Sequence, residues 1–196
     1  HFMEIGPDIG LFTNFAVTEG KYDKFWLFEP NISVKNSLES IVANKIFSIV
    51  HEMEDFSDVK DGSLDAIVII HVMDHLLDPT SYLKSLRKKL KSNGRLLIVT
   101  HNEKSLLRYI FKGKWPAFCL QHPQLYNLET TAKLLKKTGF VCVDQERTRN
   151  YFKVSFLIKH VLWALGLRIN RIPDFFGLTL GLKLGNIITI ATPKED

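Results

Sequence analysis

Glu4, Gly6 and Gly10 stand at the spacing E-x-G-x-x-x-G directly after an apolar start, and Phe25-Trp26-Leu27-Phe28 ends in Glu29-Pro30 about twenty residues later. A glycine turn between a strand and a helix lets the backbone approach a ligand, because no Cβ stands in the way. A carboxylate at the tip of the next strand can accept two hydrogen bonds from a ribose 2′,3′-diol. The chemistry on offer is the binding of a nucleoside, although the spacing is not the G-x-G-x-x-G of nicotinamide enzymes. His51-Glu52-Met53 adds a carboxylate for an exocyclic adenine amine and a flexible apolar side chain for the ring. Each of these also has a plain structural explanation: a packing turn, a solvated loop acid, an acidic loop.

The histidines form the second reactive set. His71 and His75 are four apart and would share one face of a helix, where Asp74 or Asp78 would add a carboxylate of metal-ligand type. His101 and His122 lie further on. A partly buried histidine with no chemical role satisfies the same pattern.

These groups need a framework. Leu11 to Thr18 reads as a helix, Phe25 to Phe28 and Ile46 to Val50 as strands, and Ser33 to Asn44 carries Val34, Leu38, Ile41 and Val42 at helical spacing. Leu64 to Ile70 is an uninterrupted apolar run, as in a central strand covered on both faces. Asp78-Pro79 starts a helix with an N-cap and a proline at its first position, with Tyr82, Leu83, Leu86 and Leu90 as its apolar stripe and Asn93-Gly94 as its end. Arg95 to Thr100 is the next strand. Asn127 caps a helix from Leu128 to Lys137, and Phe140 to Val143 and Asn186 to Thr192 are the last strands. Alternating strands and helices imply an α/β doubly wound, mostly parallel sheet.

The 196 residues are 45% hydrophobic and 24% charged, which fits a single domain over residues 1–196. Cys119 and Cys142 are too few for a disulfide framework, so a cytoplasmic setting is expected. Charges interrupt the apolar C-terminal third, so no span of membrane length is present. The net charge of +5 is spread along the chain, which makes nucleic acid a weak expectation. Because the chain opens almost inside a strand, a segment is expected to precede His1.

Taken together and in order, these residues resemble the class I S-adenosylmethionine-dependent methyltransferases, in particular the small type 11/23 group. Asp61 to Val68 followed by Val72-Met73-Asp74-His75-Leu76-Leu77-Asp78-Pro79 is similar to that group's DGSFDVV and VLEHLxDP segments. Leu90 to Leu97 with Asn102 resembles LKPGGRLLIxxxN, and His122, Tyr126-Asn127 and Leu134 to Phe140 resemble the H…LLxxAGF segment. The resemblance spans about residues 3 to 146 and the last strand. It implies a Rossmann-like fold with an antiparallel last strand and S-adenosyl-L-methionine as cofactor. By the same resemblance, Glu4, Gly6, Pro7, Asp8 and Gly10 lie under the methionine part. Glu29 and Pro30 hold the ribose, Glu52 and Met53 the adenine, and the stretch from Ile70 and His71 to Asp74 faces the sulfonium and the acceptor. His71 is then the candidate general base, His75 a helix-start residue that also borders the acceptor, and no metal is expected. Asp8 departs from the family, which has glycine there, and its bulk either is accommodated or obstructs the cofactor.

Residues 106–124 and 147–185 are the expected substrate-side additions. The first is rich in cations and aromatics around Trp115, and His101, Trp115, His122 and Tyr126 are candidates for acceptor binding. In the second, Phe152, Phe156, Leu157, Val161, Leu162 and Leu165 read as a lid helix packed on the core. Alternatively Trp163, Leu167, Phe175 and Phe176 form an exposed patch, so that residues 152–182 contact a partner or a membrane surface. The expected activity is methyl transfer to a small-molecule, sugar or lipid-linked glycan acceptor, more on oxygen than on nitrogen or carbon. The alternatives are an inactive methyltransferase-like binding domain and an RNA methyltransferase.

Overall fold

The computed structural model describes residues 1–164, 166, 167, 169, 172, 173 and 177–194. Strands β1 (Phe2–Ile5), β2 (Lys24–Phe28), β3 (Ile46–Val50), β4 (Leu64–Ile70), β5 (Leu90–His101), β6 (Phe140–Arg147) and β9 (Asn186–Pro193) form one sheet in the order β3-β2-β1-β4-β5-β9-β6. β1 pairs in parallel with both β2 and β4, and β9 alone runs against its neighbours β5 and β6. The chain therefore winds outward from β1 in one direction and from β4 in the other. This reversal opens a crevice at their carboxyl ends, where open α/β sheets bind ligands.

The hydrophobic pattern explains the layers. β1 is buried at all four positions and β4 at most of its seven, because helices lie on both sides. Phe2, Phe25, Leu27, Ala66 and Val68 pack under α1 (Leu11–Thr18) and α2 (Lys35–Val42), whereas Met3, Ile5, Ile67 and Ile69 pack under α3 (Pro79–Lys89) and α5 (Leu128–Lys137). Leu83 and Leu86 on α3 are fully buried, each worth about 2 kcal/mol of apolar transfer. Asp78 caps α3 by accepting from the Thr80 and Ser81 N–H groups, as its position before Pro79 predicts.

Two elements differ from expectation. α3 stops at Lys89, before Asn93-Gly94, because Leu90 is extended (φ −73°, ψ 142°) and joins β5 opposite Leu64. Gly94 serves a close approach there: a Cβ would meet the carbonyls of Leu64 and Lys91 at 3.0 Å.

The segment after β6 forms a second, two-stranded sheet of β7 (Asn150–Lys153) and β8 (Thr179–Leu182) around α6 (Val154–Ala164). The expected packed lid is not found, since among its described side chains α6 buries none: Phe156, Val161 and Trp163 are exposed and Leu157 and Leu162 half-buried. Leu167 is exposed like Trp163, while Leu165, Phe175 and Phe176 lie outside the described residues. Among the described residues no helix is long and apolar enough to cross a membrane. α4 (Leu106–Phe111) occupies the other addition.

Candidate functional site

The loop from β1 to α1 takes the left-handed backbone three times, at Gly6 (φ 70°), Asp8 (φ 49°) and Gly10 (φ 82°). Aspartate is one of the few L-residues that enter this region at small cost. Asp8 thus holds the turn that glycine would hold, with its side chain exposed. The two glycines serve different ends. A Cβ on Gly6 would meet Val72 Cγ2 at 2.5 Å across the crevice, whereas one on Gly10 would strike Ile41 and Leu38 of α2 at 2.6 and 2.9 Å. Gly10 is therefore required by helix packing and does not line the crevice.

A cleft of about 790 Å³ lies between this loop and the end of β4. Six of the candidate residues, Glu4, Gly6, Pro7, Asp8, Ile70 and His71, line it, joined by Ile9, Leu11, Phe12, Phe15 and Val72, which were not candidates. Leu11 and Phe15 are exposed apolar residues of an amphipathic helix turned toward the opening, and their solvent exposure is not visible in a one-dimensional pattern. Glu29, Pro30, Glu52 and Met53 lie outside this lining. Glu29 is buried, and its carboxylate accepts the N–H groups of Asp8 (2.9 Å) and Asn31 (2.8 Å). An ionised carboxylate has roughly four acceptor positions, so two remain for a ligand. Pro30 and Glu52 are exposed, and Met53 packs on the core, its carbonyl accepting from the Tyr82 hydroxyl.

Glu4 is 2% exposed and accepts from the Thr13 hydroxyl at 2.5 Å. Burial, with a smaller push from the Glu29 charge, raises its pKa to about 7. A buried carboxylate at the cleft wall is stabilised in its ionised form by a cationic ligand, and the cramped Gly6 cradle admits a ligand that a Cβ would exclude. Both observations fit a ligand bearing a sulfonium and an ammonium.

Beyond His71 the sheet edge carries a ladder of imidazoles. The rings of His71 and His101 are 4.6 Å apart, His101 and His122 5.1 Å, and His122 and His75 4.6 Å. His71 follows the end of β4 and a tight 3₁₀ turn runs over Met73–His75, so the segment is not the helix on which His71 and His75 would share a face. The turn points Asp74 inward, fully buried, and His75 outward, so His71 and His75 do not share a face. Asp74 Oδ2 lies 3.0 Å from His101 Nδ1, and it accepts from the His101 backbone N–H at 3.4 Å. His122 Nδ1 sits 2.8 Å from the Ala117 carbonyl and His75 Nδ1 2.9 Å from that of Gln121, each of which orients its ring.

His71 itself is strained at φ 54°, a feature that collects at functional sites. Burial, then the neighbouring His101, holds its pKa below the ordinary histidine value, so the imidazole is neutral near pH 7. Asn186 Nδ2 lies 3.4 Å from its Nε2, a neighbour that no local pattern reveals because it arrives from strand β9, 115 positions away. Trp115 and Tyr126 are both buried. Trp115 is 3% exposed with its ring edge-on to His101, and Tyr126 is 5% exposed with its hydroxyl donating to the Met73 carbonyl. Both back the ladder from within the protein, because aromatic area beside the turn is best used as packing.

The comparisons with known proteins agree with this geometry. The family model described as "Methyltransferase domain" matches residues 1–145. Comparison with curated protein sequences gives no match. Among solved structures, a SAM-dependent methyltransferase from Archaeoglobus fulgidus superposes with a TM-score of 0.66 at 20% identity, over 97% of this chain and 85% of that one. An S-adenosylmethionine-dependent methyltransferase from Mesorhizobium loti gives 0.63 at 11% identity, over 98% and 90%. The match over three quarters of the sequence, the reversal of winding at β1 and β4, and the single antiparallel strand place the chain in the methyltransferase domain family, with the class I fold of S-adenosylmethionine-dependent methyltransferases.

Proposed function

We propose that the chain transfers the methyl group of S-adenosylmethionine to an oxygen atom of a small-molecule, sugar or lipid-linked acceptor. The observation that carries this reading is the continuity of the cleft with the imidazole ladder through His71, which belongs to both. Bound S-adenosylmethionine supplies a methyl group on an already activated sulfonium, so catalysis consists mainly of alignment and, for a hydroxyl acceptor, removal of a proton. Glu4 balances the ligand's positive charge, Gly6 gives room beside Val72, and Glu29 receives the ribose hydroxyls on its two remaining acceptor positions. His71, neutral and at the cleft wall, stands where an acceptor proton has to be taken. A neutral imidazole there takes the proton of a hydroxyl acceptor as it attacks the methyl carbon.

Asp8 is read as accommodated, since its backbone follows the glycine-type turn and its exposed carboxylate, at the cleft wall, favours a cationic ligand. The RNA reading gains nothing from Lys84, Arg87, Lys88, Lys137 and Lys194, which gather at the far ends of α3 and α5, away from the cleft, and is left with Arg108, Lys112 and Lys114 as the cations of the 106–124 addition. The test is incubation with methyl-labelled S-adenosylmethionine and a panel of sugars, phenols and polyprenyl-linked glycans. The expected product is a labelled methyl ether detected by mass spectrometry. Label on nitrogen or carbon, or cofactor binding with no transfer across the panel, overturns the oxygen assignment.

A further inference from the structure

His71, Asp74 and His101 each place one potential ligand atom within 4.8 Å of the others, although they come from the end of β4, the turn after it and the end of β5. Two further facts single this group out. Asp74 is fully buried, and only one of its oxygens is satisfied, by His101; Oδ1 has no hydrogen-bond partner. His71 Nδ1 is likewise buried without a partner. A buried carboxylate oxygen and a buried imidazole nitrogen left without partners in one cluster are each costly unless something satisfies them.

We propose that these three side chains form a site for one divalent first-row transition cation. The proposal rests on the methyl-transfer reading for its use and refines one part of it, because His71 then acts as a ligand of the cation rather than as a free base. Two imidazoles and one carboxylate suit zinc, manganese, iron or cobalt, and are too rich in nitrogen for magnesium or calcium. A zinc-type ion with bonds of about 2.1 Å sets its ligands roughly 3.4 Å apart; Asp74 Oδ2 and His101 Nδ1, at 3.0 Å, already lie within that spacing, and no pair in the group exceeds 4.8 Å. The surroundings match what metal ligands require. The Asn186 amide beside His71 and the Trp115 ring against His101 limit how the two imidazoles turn.

Three protein ligands leave at least one coordination position open, as in catalytic rather than structural metal sites. With His71 also lining the cofactor cleft, that open position faces the place where the acceptor must lie. The acceptor class it selects is one with a hard oxygen donor, a hydroxyl beside a second oxygen, in preference to an amine.

The experiment titrates the metal-stripped chain with Zn²⁺ by calorimetry and with Co²⁺ by visible absorption, alongside a separate titration with S-adenosylhomocysteine. The expected result is one saturable equivalent of Zn²⁺, and Co²⁺ bands of a four- or five-coordinate ion that zinc displaces. His101→Gln weakens this by about tenfold or more and leaves S-adenosylhomocysteine binding in place, whereas His160→Gln, on the exposed face of α6, changes neither. Asp74→Asn should abolish the site, and if its burial prevents folding, His101→Gln, whose side chain is 26% exposed, carries the test. Zinc binding that is absent, or unchanged in His101→Gln, overturns the proposal. Loss of cofactor binding with metal binding intact instead overturns the methyl-transfer reading.

Discussion

The backbone N–H of Asp8 donates to Glu29 Oε2 at 2.9 Å while Asp8 holds a left-handed conformation at φ 49°. This one bond ties the loop after β1 to the tip of β2. It also explains why a charged residue is tolerated where a glycine is usual. The left-handed turn is what aims the N–H at the carboxylate, and aspartate reaches that turn at lower cost than most side chains.

Replacing Asp8 by glycine keeps the turn and the N–H, so relief of left-handed strain and added unfolded-state freedom nearly cancel. Asp8→Gly is expected to retain cofactor affinity and to unfold within about 1 kcal/mol of the parent in urea. Asp8→Val, β-branched at positive φ, should lose about 1 to 2 kcal/mol. Equal stability of the two variants would show that the left-handed turn is not required.

Glu29→Gln separates the structural duty of this carboxylate from its ligand duty. A glutamine has one acceptor oxygen, so either the Asp8 or the Asn31 N–H must face an amide NH₂. A loss of about 1 to 3 kcal/mol of stability is expected before any ligand is added. Calorimetry with S-adenosylhomocysteine should then show a further weakening of binding; unchanged affinity would place the ribose elsewhere.

What the sequence disclosed and what it hid follow one physical division. Period and capping are local, so the buried run Leu64 to Ile70, the Asp78-Pro79 start and the Asn127 cap were all readable. The four histidines were each singled out from sequence, but their gathering into one ladder depends on strand order, which brings positions 71, 101 and 122 together. The inward turn of Asp74 was hidden because a 3₁₀ turn rotates successive side chains differently from the helix its i, i+4 histidines suggested. The burial of Trp115 and Tyr126 was hidden as well, since composition does not tell which aromatics the fold covers. For α6, the apolar stripe is real, but none of its described side chains is fully buried.

Asn127 offers a local test of the α5 cap. Its side chain accepts from the N–H groups of Glu129 and Thr130, the Thr130 hydroxyl accepts in return from the Asn127 N–H, and its amide donates to Glu103 at 2.5 Å. Asn127→Ala should therefore cost about 1 to 2 kcal/mol, and Asn127→Ser should recover the cap but not the Glu103 contact. Thermal unfolding of the two variants reads the difference, and equal losses would mean that the Glu103 bond carries the whole effect.

Glu4 makes stability and binding depend on pH in opposite senses. Its pKa is about 7 in the folded chain, against an ordinary 4.5, chiefly because it is buried. Between these values the folded chain keeps a proton that the unfolded chain has lost, so the stability this group contributes is fully present below 4.5 and falls as pH rises through 7. At about 1.4 kcal/mol per unit the total is about 3 kcal/mol. Glu4→Gln should remove that slope and be the more stable protein near pH 8, as measured by urea unfolding across the range. A cationic ligand favours the ionised carboxylate, so binding near pH 6 must release a proton. Titration with S-adenosylmethionine in phosphate and in a buffer of higher ionisation enthalpy should give different heats near pH 6 and converging heats near pH 8, and Glu4→Gln should abolish the difference. Identical heats in both buffers near pH 6 would mean that the Glu4 carboxylate does not sense the ligand's charge.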